Sequence, residues 1–550
     1  MKSSARTWAR LSKNPALVLL GLCVALLAAC AAPVGDTASQ DEDESTYLSF
    51  VDVEPRSVDP HCIVENYTVA LNIFDRLVEV EEETDTAKVV PSLAESWERS
   101  DDGLAYTFCL REGITFSNGA ALTSSDVAFS FKRLLTHPKS RHADLLTDVL
   151  GATELVEGTT TDFVGFRIID DRRFTITLAH PAAAFLAGLT TPGASILDEE
   201  ATLKAGDSFG TDVELTVGSG PFVLRTWNPG KSITMHANPS HWGGHPACDG
   251  LKMQFFEEAN SLRDLYAQGK IDILDLDMLG MEAEYFLHGD TYLKNLVRGR
   301  RVGITYLALN NSLEPLTDSR VRHALALGLN RPTLLQGAAG GRGTVENGIF
   351  PRGLLGHNDE LPEIPYDPAQ ARALLAEAGY RDGFDLVVSY PATASQSTKD
   401  LLTFAVHLWS EIGVRARMEE LDATTYAARR RKGKLACYTS TFSADFNDPQ
   451  GFIEAFFGGR DATTAYSLCY QDDETMQRVL DARSIIDEQE RLRTYQSLEK
   501  KIVQEDFAWI PLYSKMHFFV VGDHVKGFKV SWNGWSSNRY DNVSVTRDTV

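Results

Sequence analysis

The sequence predicts a mixed α/β protein built in several lobes, and three observations predict it. Residues 367–442 alternate helical and strand periodicities, and the stretch around residues 174–235 carries period-two runs bounded by turn residues. The length, 550 residues, corresponds to roughly three to four domains at ~150 residues each. Hydrophobic residues make up 43% and charged residues 23%, with 41 Gly and 21 Pro, which excludes collagen-like, coiled-coil, polytopic membrane and wholly disordered chains. Lys and Arg total 53 against 76 Asp and Glu, a net charge of −23 that argues against nucleic-acid binding, because such surfaces concentrate cations to displace counterions. A cationic or zwitterionic partner is easier to accommodate.

Taken in chain order, Lys2, Arg6, Arg10 and Lys13 form a basic region without acids, and the apolar stretch 16–27 is shorter than the ~20 residues of a spanning helix. Residues 1–29 therefore read as a cleaved signal peptide. The join Leu27-Ala28-Ala29-Cys30 is similar to a bacterial lipobox, which implies lipidation at Cys30; an uncleaved anchor or a plain cut after Ala29 is the alternative. Residues 30–45 hold Pro33, Gly35 and the acidic run 41–44 with almost nothing to bury, as in a flexible lipid-anchored linker. Five cysteines remain in the body: Cys62, Cys109, Cys248, Cys437 and Cys469. Their spacing assigns no disulfide, and no C-x-x-C pair suggests zinc.

Thr123, with Asp126 three residues on, is a capping box opening a helix that carries Val127, Phe131, Leu134 and Leu135 on one face. Phe174, Ile176 and Leu178 alternate after Asp170-Asp171, and Ile233 and Met235 alternate after Asn228-Pro229-Gly230. Asp367-Pro368 followed by Ala371, Leu374, Leu375, Ala378 and Gly379 has the cap, first-turn proline, stripe and terminal glycine of a helix. A strand at 384–390, a helix at 398–412, alternation at Val414, Ala416 and Met418, a helix at 424–432 and a strand at 435–442 complete an α/β unit with a parallel sheet. Ligands sit beyond the carboxyl ends of such strands, which makes the following loop, residues 443–449, a candidate contact.

The residues also resemble a family. Val90-Pro91-Ser92-Leu93-Ala94-Glu95-Ser96-Trp97, Asp102-Gly103, Phe116-Ser117-Asn118-Gly119, Gly218-Ser219-Gly220-Pro221-Phe222, Asn238-Pro239-Ser240-His241-Trp242, Asp318-Ser319-Arg320-Val321-Arg322 and Ile510-Pro511-Leu512-Tyr513 look like the signature of extracytoplasmic solute-binding proteins of peptide/nickel ABC importers. Within that family, Ile169-Asp170-Asp171, Asn310-Asn311 and Ala444-Asp445-Phe446-Asn447-Asp448-Pro449 most resemble the oligopeptide-binding proteins. The resemblance implies a three-lobed periplasmic-binding-protein-like fold whose two main lobes close over a cleft by hinge motion. Lobe I is expected from 46–85, 201–305 and 515–550, lobe II from 86–200 and lobe III from 306–514.

The resemblance further implies that Asp445 receives the ligand α-ammonium. A turn-capping role for Asp445 is the plain alternative. Two positions depart from the oligopeptide pattern: Phe442 stands where a Trp is common and Thr439 where close relatives carry an Arg. Glu65 is a candidate second contact near the amine, and Tyr438 and Phe446 are candidate aromatic walls or core residues. The implied partners are a peptide, an ABC permease and, through Cys30, a membrane; no nucleic acid, cofactor or metal is expected, and the protein is expected to be a monomer. A nickel chelate, an opine or an oligosaccharide is the alternative cargo, and a surface lipoprotein that hydrolyses or senses peptides is the alternative class. His241 and His245 are separated by Gly243-Gly244 and read as a loop rather than a zinc helix. The Gly-rich run 337–343 lacks the ending of a phosphate loop, and Arg429-Arg430-Arg431-Lys432 reads as a solvated basic face. No catalytic motif is present.

Overall fold

The alternating elements of residues 367–442 form one end of a large sheet in the computed structural model, which describes residues 46–82, 87–255, 259–535 and 537–547. The expected signal peptide, Cys30 and the linker lie outside the described residues. Helix Pro368–Glu377 begins where Asp367 accepts the Gln370 N–H at 2.9 Å, with Pro368 in its first turn. Strands Asp385–Pro391 and Arg415–Leu421 pair in parallel across helix Gln396–Glu411, which buries Leu401, Leu402, Ala405, Leu408 and Trp409. Strand Cys437–Ser443 joins the other side of Asp385–Pro391, also parallel. The loop after Ser443 therefore leaves from the carboxyl end of the parallel set.

From there the sheet continues through Gly303–Leu309 and Trp509–Val521 to Ile273–Asp275, Tyr47–Val51, Gly250–Gln254, Ser232–Ala237 and Phe222–Asn228. Trp509–Val521 links the two ends. Its 13 residues reach roughly 40 Å at ~3.3 Å per residue. It pairs with Gly303–Leu309 through residues 509–513 and with Leu296–Arg300 and Ile273–Asp275 through residues 516–521. Both ends of this strand are buried, whereas Lys515, Met516, His517 and Phe518 between them are half-buried. Pro511 falls at the register shift opposite Thr305 and Tyr306, a place where a strand tolerates a missing N–H. Residues 305 and 306, the expected junction, lie inside strand Gly303–Leu309; Leu296–Arg300 before it also pairs with Trp509–Val521, and Gly303–Leu309 pairs with Cys437–Ser443 as well.

A separate four-stranded sheet, Ala94–Arg99, Ala105–Leu110, Arg173–Thr177 and Phe166–Ile168, packs with helix Ser124–Thr136, whose capping box is complete. The buried members of its core all fall within residues 77–196. Other clusters surround Leu325 and Trp409, Phe456 and Trp509, Leu251 and Met253, and Leu274 and Phe286.

Several stretches that carry the family resemblance are scaffold. A Cβ at Gly218 would stand 1.9 Å from the Ile73 carbonyl oxygen, so this close passage of two backbones requires glycine. Asn311 is buried and its side-chain amide reaches the carbonyls of Leu309, Leu468 and Ala508, tying three segments together in the interior. The buried Arg322 donates to the carbonyls of Leu316, Thr317 and Asp506. All five body cysteines are free thiols. No helix among the described residues is long and apolar enough to cross a membrane.

Candidate functional site

The loop at residues 444–448 is held by three fixed points. Ala444 is buried, its N–H donating to Val302 O at 2.8 Å and its carbonyl accepting from Gly534 N at 3.2 Å. Gly534 has to be glycine here, because a Cβ would meet Ser443 Cβ at 2.2 Å. At the other end Asp448 caps helix Pro449–Phe457 by accepting the Gln450 N–H at 2.9 Å, and it pairs with both Arg491 guanidinium nitrogens at 2.8 and 2.6 Å. Capping therefore falls to Asp448. Asp445 is left to point elsewhere.

The Asp445 side chain is open to solvent and accepts a hydrogen bond from the Trp535 indole N–H at 2.9 Å. Protein walls nevertheless surround it. The resulting dehydration raises its pKa above the ordinary carboxylate value; the Trp535 bond and the His142 ring pull it part of the way down, and Asp144 pushes it up. No Lys or Arg among the described residues makes an ion pair with it. Two cavities share this carboxylate. One, of about 450 Å³, is lined by Leu71, Val80, Trp242, Trp532, Asn533 and Trp535 among others. The second, of about 420 Å³, lies against Asp144, Phe185, Phe442, Phe446, Glu454 and Tyr466.

Tyr67 completes the surroundings of Asp445. Its ring lies 5.5 Å from that of Trp535, and its hydroxyl donates to Ile63 O at 3.3 Å, the same carbonyl that the His142 ring approaches at 2.5 Å. Burial, then the Asp445, Asp144 and Glu65 carboxylates, raise the Tyr67 phenol, so it stays a neutral donor. Glu65 is exposed, and the structure thus brings it with Asp445 and Asp144 into the field of one phenol.

Phe442 and Phe446 both line the 420 Å³ cavity. Phe442 also packs edge to face on Phe452 and Phe456, at 5.1 and 4.8 Å, so it is both wall and core. Tyr438 is not a wall. It is buried in the core and donates its hydroxyl to Tyr466 O at 2.6 Å, so its effect on the cavity runs through Tyr466. Thr439 is likewise turned inward, bonding Tyr306 O at 2.8 Å, and offers nothing to the cleft. His241 bonds the buried Asp75 at 3.1 Å while His245 approaches Pro246 O, so the two rings serve different partners. Arg430 lies over the Tyr466 ring at 5.3 Å and Arg429 approaches Glu419, so the basic run is only partly a solvated face. Sequence reasoning missed Trp535, Tyr67, His142 and Asp144. They come from three distant segments, and only the paired tryptophans around Gly534 were a visible aromatic signal.

Residues 88–464 match the family described as bacterial extracellular solute-binding proteins, family 5. The chain is 27% identical to Heme-binding protein A of Haemophilus influenzae over 96% of this chain and 98% of that one. It is 29% identical to Di/tripeptide-binding protein 2 of Pseudomonas aeruginosa over 81% and 85%. Its fold matches that of HbpA2 from Haemophilus parasuis with a TM-score of 0.77 at 24% identity, covering 91% of this chain and 100% of that structure. The chain belongs to the bacterial extracellular solute-binding proteins of family 5.

Proposed function

We propose that this protein captures peptides outside the cytoplasmic membrane by their free amino terminus and delivers them, as a monomer, to an ABC permease. The observation that carries the reading is Asp445: a carboxylate on a loop between two cavities, dehydrated by their walls, bonded to an indole and paired with no cationic side chain among the described residues. Such a group favours an incoming ammonium over a neutral solute, because the ligand supplies the missing counter-charge. Glu65 and Asp144 add to the same negative field, and Phe442 and Phe446 give apolar walls. Binding rather than catalysis is the role these groups support.

The proposal includes the three-lobed arrangement, with closure by bending where Arg301–Val302 and the half-buried middle of Trp509–Val521 connect the two ends of the sheet. In its favour, the core within residues 77–196 is distinct from the cores at either end of that sheet. Lipidation at Cys30 would tether the receptor, with residues 30–45 as its leash.

Isothermal titration with Ala-Ala-Ala and its N-acetylated form tests the reading. Acetylation of the peptide, or Asp445→Asn in the protein, is expected to weaken binding about a hundredfold. Equal affinity of the free and acetylated peptides, or recovery of haem, sugar or a metal chelate in place of peptide by native mass spectrometry, overturns it.

A further inference from the structure

The 420 Å³ cavity has a polarity that capture of an amino terminus does not explain. Its floor is helix Pro449–Phe457: Gln450, Gly451, Phe452, Glu454 and Ala455 line the cavity, whereas Ile453, Phe456 and Phe457 turn to the core. Gln450 Oε1 and Glu454 Oε1 are both buried, and neither has a protein donor among the described residues. The two side chains touch each other only through Gln450 Nε2, which donates to Glu454 Oε2 at 3.4 Å. Burial pushes the Glu454 carboxyl up to about 7, with Arg483 pulling it back and Asp148 adding to the rise.

The charges around the cavity have one dominant sign. Asp144, Asp148, Glu454 and Asp445 line it with carboxylates, against a single lining guanidinium, that of Arg483, whose Nη2 lies 3.4 Å from His180 Nε2. Two dehydrated acceptors one helical turn apart, in a cavity lined by carboxylates, call for a cation with several N–H donors and no acceptor, which ammonium and guanidinium supply and the single N–H of an indole does not. An acidic side chain drawn to Arg483 would leave both acceptors unmet and meet four carboxylates. A neutral apolar side chain would fit the aromatic walls but also strand both oxygens.

We propose that this cavity takes the first side chain of the bound peptide and selects lysine or arginine there, with Gln450 and Glu454 accepting its hydrogen bonds. The inference rests on the amino-terminal reading, since Asp445 is the group shared by the two cavities: an ammonium held on it places the first side chain at the mouth of this one.

The test is a titration of the purified protein with four tripeptides, Ala-Ala-Ala, Lys-Ala-Ala, norleucine-Ala-Ala and Glu-Ala-Ala, norleucine matching lysine in length without its charge. Lys-Ala-Ala is expected to bind about tenfold tighter than the norleucine peptide, with Glu-Ala-Ala the weakest. In Glu454→Gln the gap between lysine and norleucine is expected to shrink to about threefold or less. This peptide series on the unaltered protein is decisive even if the variant folds poorly. Lysine binding no tighter than norleucine while Ala-Ala-Ala binds well overturns the inference and leaves peptide capture standing. Tightest binding of Glu-Ala-Ala overturns it in favour of Arg483. Failure of every free-amine peptide removes both readings.

Discussion

Asp445 and Asp448 stand three residues apart on one loop and have opposite environments. Asp448 is buried, paired with both arms of a buried Arg491 and spent on the first turn of a helix. Asp445 opens on solvent and two cavities, accepts one indole N–H and has its pKa raised. The comparison teaches that what separates a structural carboxylate from a ligand-facing one is whether the protein supplies the counter-charge. In Asp448 the cost of dehydration is met by Arg491. In Asp445 it is left standing until something else arrives.

The largest effect is expected on the structural side. Asp448→Ala leaves the Arg491 guanidinium buried without its partner and removes the cap of helix Pro449–Phe457, for a stability loss of about 3–5 kcal/mol. Urea unfolding at fixed pH measures it. A loss below about 1 kcal/mol would mean that Arg491 finds another acceptor and that the two carboxylates differ less than the geometry says.

Asp445→Asn should behave in the opposite way, weakening ligand binding without weakening the fold. The sign follows from its raised pKa. Below the ordinary carboxylate pKa, Asp445 is protonated in both folded and unfolded chains and contributes no difference. As pH rises from there through the raised folded value, the unfolded chain gives up the proton first, so stability falls. Above that value the penalty is complete, and replacement by Asn removes it. The variant's melting temperature at neutral pH should therefore equal or slightly exceed that of the parent, and the two should converge in acid. A variant less stable than its parent at neutral pH would show that Asp445 supports the loop and would collapse the contrast with Asp448.

Much of the fold is legible in the sequence because its signals are local. The cap at Asp367, the capping box at Thr123 and Asp126, and the alternation around Ile176 and Met235 are each confined to one element, and the strands and helices lie where those signals put them. The carboxyl-end rule likewise leads from strand Cys437–Ser443 to the loop bearing Asp445. The rest of the site depends on contacts between segments far apart in the chain. Nothing within strand Cys437–Ser443 says that Tyr438 turns inward to Tyr466 while Phe442 reaches a cavity, because Tyr438 meets Tyr306 and Tyr426 whereas Phe442 meets Phe452 and Phe456 of helix Pro449–Phe457. Trp535 reaches Asp445 only because Gly534 allows two loops to touch, a contact whose partners are 90 residues apart.

The smallest expected effect would locate where recognition resides. Tyr67→Phe keeps the ring against Trp535 and removes a hydroxyl that bonds Ile63 O and lies 3.3 Å from His142 Nε2. Its stability cost should be about 0.5–1.5 kcal/mol, that of one ordinary hydrogen bond. Because the phenol stays neutral beside three carboxylates, its loss changes no charge near the ligand, and affinity for a free-amine tripeptide should fall by no more than about fivefold. That is far less than the loss expected of Asp445→Asn. Titration of the two variants side by side decides between a charge on the 444–448 loop and a polar contact on the 63–67 segment. Equal losses would move the centre of recognition to the segment carrying Glu65, with Asp445 reduced to shaping the space around it.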